Sequence, residues 1–198
     1  MLALTIGGLI LFGTGLFSIT FAGELLTVAT ILVVAFMGLV WVNVSMTTMR
    51  QLYTPEQRAR RDATVWTLVQ GILAPLQFLV FAVSVVLVLR YLWTGEGYGA
   101  ATVSILLKTA LLYTIMVTGA IWEKVVFGQW LFAPAFFWED VFSMLVLALH
   151  TAYLVALFSG ALGPQQQMWL ALAAYAAYVI NAAQFLVKLR AARRDSPP

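Results

Sequence analysis

The chain has no cysteine, a single histidine and little charge: aspartate, glutamate, lysine and arginine together make up 10% of its 198 residues. Without cysteine there can be no disulfide, no thiolate-bound zinc and no iron–sulfur cluster. One histidine, His150, rules out metal sites built on histidine clusters. An average soluble domain carries about 25% charged and about 45–50% apolar residues. Here 63% are apolar, too many for a water-soluble fold of this length to cover with a polar surface. The net charge of +3 lies in segments flanking the apolar runs, so it argues orientation rather than nucleic-acid binding.

What is present is long apolar sequence, and the solvent it implies is lipid. In lipid every backbone N–H and C=O needs an internal partner, which leaves helices or closed barrels. Barrel strands alternate apolar and polar residues, whereas Leu25–Val44 and Val141–Phe158 are apolar on every side. The expectation is an all-α, polytopic transmembrane bundle. A span needs about 20 mostly apolar residues. Four core spans are expected at Val65–Trp93, Ala100–Trp122, Val141–Phe158 and Met168–Val187. Ahead of them, Leu25–Val44 and Leu2–Ala22 supply one or two more, the latter as a span, a lead-in or a signal peptide without a basic start. Residues 1–45 thus read as a hydrophobic extension and 46–198 as the main domain; Met46 and Met49 offer alternative starts. Between the two parts, Thr54-Pro55-Glu56 reads as an N-cap, a proline at the first helical position and an acid in the first turn.

Sidedness follows from the basic residues. Arg50, Arg58, Arg60 and Arg61 precede the first core span, Lys124 lies between the second and third, and Lys188, Arg190, Arg193 and Arg194 follow the fourth. If the four spans alternate, all of these fall on one side. The positive-inside rule then places Met46–Asp62, Glu123–Asp140 and the C-terminus in the cytoplasm.

Ionisable residues at membrane depth are costly, at about 2.5–3.5 kcal/mol on insertion scales, so each needs a reason. His150 lies about 15 Å along its helix from Asp140. A rotation near 100° per residue puts Glu139, Ser143 and His150 on one face, with Tyr153 close to it. That stripe should line the interior, His150 serving as a neutral structural imidazole, a proton relay or a magnesium ligand. The bland reading of Glu139 and Asp140 is a helix cap, and that of Glu123 and Lys124 interfacial snorkelling. Gln70, Gln77 and Ser84 repeat every seven residues, with Pro75 a candidate kink. Asn181, Gln184 and Lys188 share a face of the last span. Lys108 should snorkel outward or hold an internal carboxylate.

Four segments are more specific than composition: LYTPEQRARRD (52–62), WTLVQGILAPLQFLVF (66–81), LYTIMVTGAIWEKVVFGQWLFAPAFFWEDVFSMLVLALHTAYL (112–154) and AAYAAYVINAAQFLVKLRAAR (173–193). Through them the chain resembles, over about residues 52–194, the 3-vinyl bacteriochlorophyllide hydratase family of anoxygenic phototrophic bacteria. The family pattern starts near RQLYTPEQ, so residues 1–45 fall outside the resemblance. It implies a hydro-lyase of bacteriochlorophyll a biosynthesis that turns the vinyl group of a chlorophyllide or bacteriochlorophyllide into 1-hydroxyethyl. It implies no cofactor, the magnesium belonging to the substrate, and it suggests contact with other pigment-pathway enzymes.

Such a reaction needs an acid, a base and a dry, flat pocket. Glu123, Glu139 and Asp140 are carboxyls at similar depth and, with His150, are the catalytic candidates. Trp122, Phe136, Phe137 and Trp138 offer flat walls. Arg61 or Lys124 could hold the substrate's propionate, and Gln70 and Gln77 could line the site. The rival readings are a non-catalytic pigment-binding or assembly subunit with His150 as axial ligand, and a small transporter. The latter is disfavoured because no internal repeat or Gly/Pro-broken helix pair is visible.

Overall fold

The computed structural model describes residues 52–194, with side chains to residue 190. The expected spans Leu2–Ala22 and Leu25–Val44, with Arg50 and the side chains of Arg193 and Arg194, lie outside the described residues. Among those described, all regular structure is helical: α1 (Pro55–Ala63), α2 (Val65–Thr94), α3 (Tyr98–Phe127), α4 (Phe137–Ser159) and α5 (Pro164–Arg194). The last four are each long and apolar enough to cross a membrane.

Local signals set the helix ends. Thr54 caps α1: its Oγ1 accepts from the Gln57 N–H, while the Gln57 side chain accepts from the Thr54 N–H at 2.9 Å. This reciprocal cap joins Pro55 and Glu56 in starting the helix. Thr64 then turns the chain in extended geometry into α2. α2 runs through Pro75 without a break. Gly95 ends it in the left-handed region, which only glycine adopts without strain. At the start of α5 the Gln166 side chain accepts from the Gly163 N–H, and Pro164 takes the first position, where no N–H is needed.

Every core helix is longer than its apolar run. α3 continues past Trp122 to Phe127, so Glu123 and Lys124 are inside the helix rather than at its end. Glu123 is buried, which overturns the snorkelling reading for it, while Lys124 is exposed. The helix tolerates Glu123 there because the following loop satisfies its carboxylate.

α2 pairs antiparallel with α3, and α4 with α5; these two hairpins make the most extensive contacts, and α1 packs on α3. The register can be followed in side-chain pairs. Across α2–α3, Ser84 meets Ser104, Gln70 meets Thr118 and Thr67 meets Trp122. Across α4–α5, His150 faces Tyr175, Ser143 bonds Asn181 and Glu139 bonds Lys188. Leu68, Ile72, Leu79, Val83 and Val86 of α2 are exposed, as expected of a surface whose solvent is lipid.

Candidate active site

The charged end of the bundle is organised by the loop between α3 and α4. Gly128 closes α3 with φ 86°, donating to the Lys124 carbonyl, while Lys124 Nζ donates to the Gly128 carbonyl at 2.8 Å. Four residues on, Phe132 has φ 59°, a left-handed conformation unusual for an aromatic side chain. That twist aims two successive N–H groups at carboxyls. Phe132 N–H donates to Asp140 Oδ2 at 2.7 Å, and Ala133 N–H donates to Glu123 Oε2 at 3.2 Å. Strain of this kind persists where the surroundings over-determine it.

Glu123 of α3 and Asp140 of α4 are both buried, and they accept from neighbouring N–H groups of one loop. Two buried carboxyls held on adjacent N–H groups resist double ionisation, so the pair favours keeping one proton between them. Beside the pair, fully buried Glu139 forms an ion pair with Lys188 of α5, which also donates to the Ala135 carbonyl. With one proton on the carboxyl pair, this cluster carries one negative charge more than positive. Neither Glu139 nor Asp140 acts as a simple helix cap: the N-cap is Phe136, with no side-chain cap bond. Asp140 instead satisfies a loop N–H ahead of the helix.

An aromatic box adjoins the cluster. The Phe136 ring lies 5.7 Å from Trp122, 5.8 Å from Phe127, 6.1 Å from Phe185 and 6.3 Å from Tyr53. Lys188 Nζ is 5.1 Å from the Phe136 ring centre. Trp122 is fixed by a 2.9 Å bond from its Nε1 to Thr67, whose hydroxyl donates to the Arg61 carbonyl. Arg61 lies over the Tyr53 ring at 4.8 Å and pairs with Asp62. Burial pushes the Tyr53 phenol up to about 12, the Arg61 guanidinium opposing the shift in part.

The structure therefore brings Glu123, Asp140, Glu139 and Trp122 together, with Arg61 and Lys124 at the rim. It does not bring Phe137 and Trp138 into the box. They pack edge-on against each other at 5.5 Å, and Phe137 is exposed and next to Phe132. Gln70 lies along α2, bonded to Thr118 at 2.8 Å. Lys188 as the counter-ion of Glu139 was missed by sequence reasoning, although a lysine and a carboxylate at matching depth on consecutive antiparallel spans could have suggested it. The two loop N–H groups left no signal, because backbone donors have no side-chain signature.

A second polar centre lies deeper. His150 is buried; its Nδ1 bonds its own helix at the Val146 carbonyl, 2.8 Å away, and not a neighbouring helix. Lys108, fully buried, neither snorkels nor meets a carboxylate: its Nζ sits 3.7 Å above the Tyr178 ring. Ser84 joins Ser104 and Tyr175 across three helices. Gln77 Oε1, Lys108 Nζ, His150 Nε2, Asn181 Oδ1 and both amide atoms of Gln184 are buried and accept or donate no hydrogen bond within the protein. Each such group costs about 1–3 kcal/mol if nothing satisfies it.

The family model for 2-vinyl bacteriochlorophyllide hydratase matches residues 53–191, which include every residue of both polar centres. The chain belongs to this family. The vinyl group numbered 2 in that name is the one numbered 3 above. A 2-vinyl bacteriochlorophyllide hydratase of Cereibacter sphaeroides is 79% identical over 147 residues, covering 74% of this chain and 91% of that protein. Its namesake in Rhodobacter capsulatus is 76% identical over 144 residues, covering 73% and 84%. No solved structure matches the chain. Residues 1–52 lie outside the family match.

Proposed function

We propose that this member of the hydratase family adds water across the vinyl group of a bacteriochlorophyllide, with the Glu123–Asp140 pair as its proton donor and then its proton acceptor. The observation that carries the assignment is the pair of buried carboxyls held on successive loop N–H groups beside an aromatic box. The proton goes to the terminal CH₂ of the vinyl group. That leaves a methyl group and a cation on the carbon attached to the macrocycle, stabilised by conjugation with the ring. Water attacks this carbon, and the now doubly ionised pair takes back one of its protons. The product is the 1-hydroxyethyl group, and the pair ends as it began.

The negative excess of the cluster favours the cation electrostatically, because it is fixed in place before charge develops. Glu139, held by Lys188, contributes charge without needing to exchange a proton. The loop N–H groups of Phe132 and Ala133 stabilise the pair when both carboxyls are ionised, which makes the proton available. Trp122 and Phe136 would cover a face of the macrocycle, and Arg61 or Lys124 would hold its carboxylate at the rim. His150 is assigned no role in holding the substrate's magnesium. It lies about 16 Å along α4 from Glu139, more than the roughly 10 Å width of a chlorin allows in one pose.

The topology proposed with this reading is a four-span domain (residues 46–198) in a bacterial inner membrane. Its C-terminus and active site lie at the cytoplasmic face, and residues 1–45 form an added hydrophobic segment. A substrate shared with other pigment enzymes makes hand-over by contact with them part of the proposal. The test is turnover in water enriched in heavy oxygen. Membranes containing the protein should convert the vinyl substrate to a hydroxyethyl product carrying that oxygen. Substrate that is bound but unchanged would instead support a non-catalytic pigment-binding subunit.

A further inference from the structure

Polar side chains succeed one another along the bundle interior from the carboxyl cluster to its opposite end. On α5 they are Lys188, Gln184, Asn181, Tyr178 and Tyr175, at intervals of three or four residues, or about 4.5–6 Å of helix rise. On α4 the matching face holds Glu139, Ser143, His150 and Tyr153. α2 adds Gln77 and Ser84, two turns apart, and α3 adds Lys108 and Ser104. Asn181 bonds Ser143, Lys108 lies over Tyr178 and Ser84 bonds Tyr175, so neighbouring helices join at successive depths. Beyond them Tyr153 lies beside Thr102, and Tyr98 donates to Gln167 at 2.6 Å at the far end of the hairpins.

The atoms left over share a chemistry. Gln77 Oε1, Asn181 Oδ1 and Gln184 Oε1 accept; Gln184 Nε2 and Lys108 Nζ donate; His150 Nε2 accepts once Nδ1–H is committed to Val146. Donors and acceptors occur together among them, and on α5 Gln184 and Asn181 lie about 4.5 Å of helix rise apart. An anion would suit only the donors, and a cation only the acceptors. Water suits both, and buried water characteristically makes two to four such bonds.

We propose that this file is hydrated and delivers the water consumed at the Glu123–Asp140 pair. Gln184 is the last positioning residue before the cluster, one turn from Lys188. The file gives the reaction a supply of water that does not cross the aromatic box, which stays dry around the macrocycle. The destination of the water rests on the hydratase reading; the hydration of the file does not, and the two are tested separately.

The chain's lack of cysteine makes it a clean background for single-cysteine labelling. Gln77→Cys, Asn181→Cys and Gln184→Cys would be treated in membranes with a small water-soluble methanethiosulfonate, and compared with Val86→Cys on the lipid-facing side of α2. Because only a thiolate reacts, and a thiolate needs water, the three file positions should be modified at least about tenfold faster than position 86. Equal, slow modification at all four would overturn the proposal. In parallel, Gln184→Leu should lower kcat about tenfold or more with KM unchanged, and Gln184→Asn should recover most of it. Full turnover by Gln184→Leu would overturn the delivery role. Rapid labelling of the three file variants, together with a parent protein that hydrates no vinyl substrate, would sink the catalytic reading and leave the hydrated file standing.

Discussion

Replacing Lys188 by methionine isolates the electrostatics of the buried cluster. Methionine keeps an apolar stem of similar length but removes the ammonium that faces fully buried Glu139 and donates to the Ala135 carbonyl. Removing one partner of a buried ion pair costs about 3–5 kcal/mol. The Lys188 side chain is 17% exposed, so water can partly compensate and the lower end applies, about 3 kcal/mol. For a domain of this size that is a fall in Tm of about 6–12 °C. The assay is thermal unfolding of detergent-solubilised protein, followed by loss of helical signal. The double variant Lys188→Met/Glu139→Gln should recover about 2 kcal/mol, because the uncompensated charge is gone. A single variant as stable as the parent, or a double variant no better than the single, would refute the claim that the pair is a buried and coupled unit.

Gly128→Ala should cost about 1–2 kcal/mol, since its φ of 86° strains any side chain while nothing lies within 4 Å of the added carbon. The same change should lower turnover, because it displaces the loop that carries the Phe132 and Ala133 N–H groups; unfolding and kinetics of one preparation check both. Trp122→Phe keeps the ring in the box but loses its bond to Thr67, so about 1 kcal/mol of stability should go, measured the same way. For Tyr53 the folded phenol ionises at about 12 against 10.0 for the free group. Its contribution should be intact below pH 10 and decline as pH rises from about 10 to about 12. The pH dependence of unfolding of the parent and of Tyr53→Phe should differ in slope only in that window, where the parent alone loses stability.

Much of this architecture was legible in the sequence, for a physical reason. A bilayer allows few backbone solutions, so apolar length alone locates the four core helices. The Thr54-Pro55-Glu56 start of α1 was equally legible, because capping depends on neighbours in sequence. Helix ends were less so: α3 runs on to Phe127 because Glu123 is answered by Ala133, ten residues away. The interior stripe of Glu139, Ser143, His150 and Tyr153 follows from helical rotation, and all four are buried. Rotation does not say what each side chain meets across the interface. Asn181 for Ser143, Lys188 for Glu139 and the Tyr178 ring for Lys108 depend on the register of α3, α4 and α5. The left-handed twist at Phe132, which presents two N–H groups to the carboxyl pair, leaves no periodic trace at all.

The most direct test of the account is the turnover of Glu123→Gln. The amide can still accept from the Ala133 N–H, so the fold and substrate binding should survive, but it carries no transferable proton. The account predicts a kcat about 10²–10⁴-fold lower than the parent's, with KM little changed. A Glu123→Gln protein that hydrates the vinyl substrate at the parental rate would contradict it.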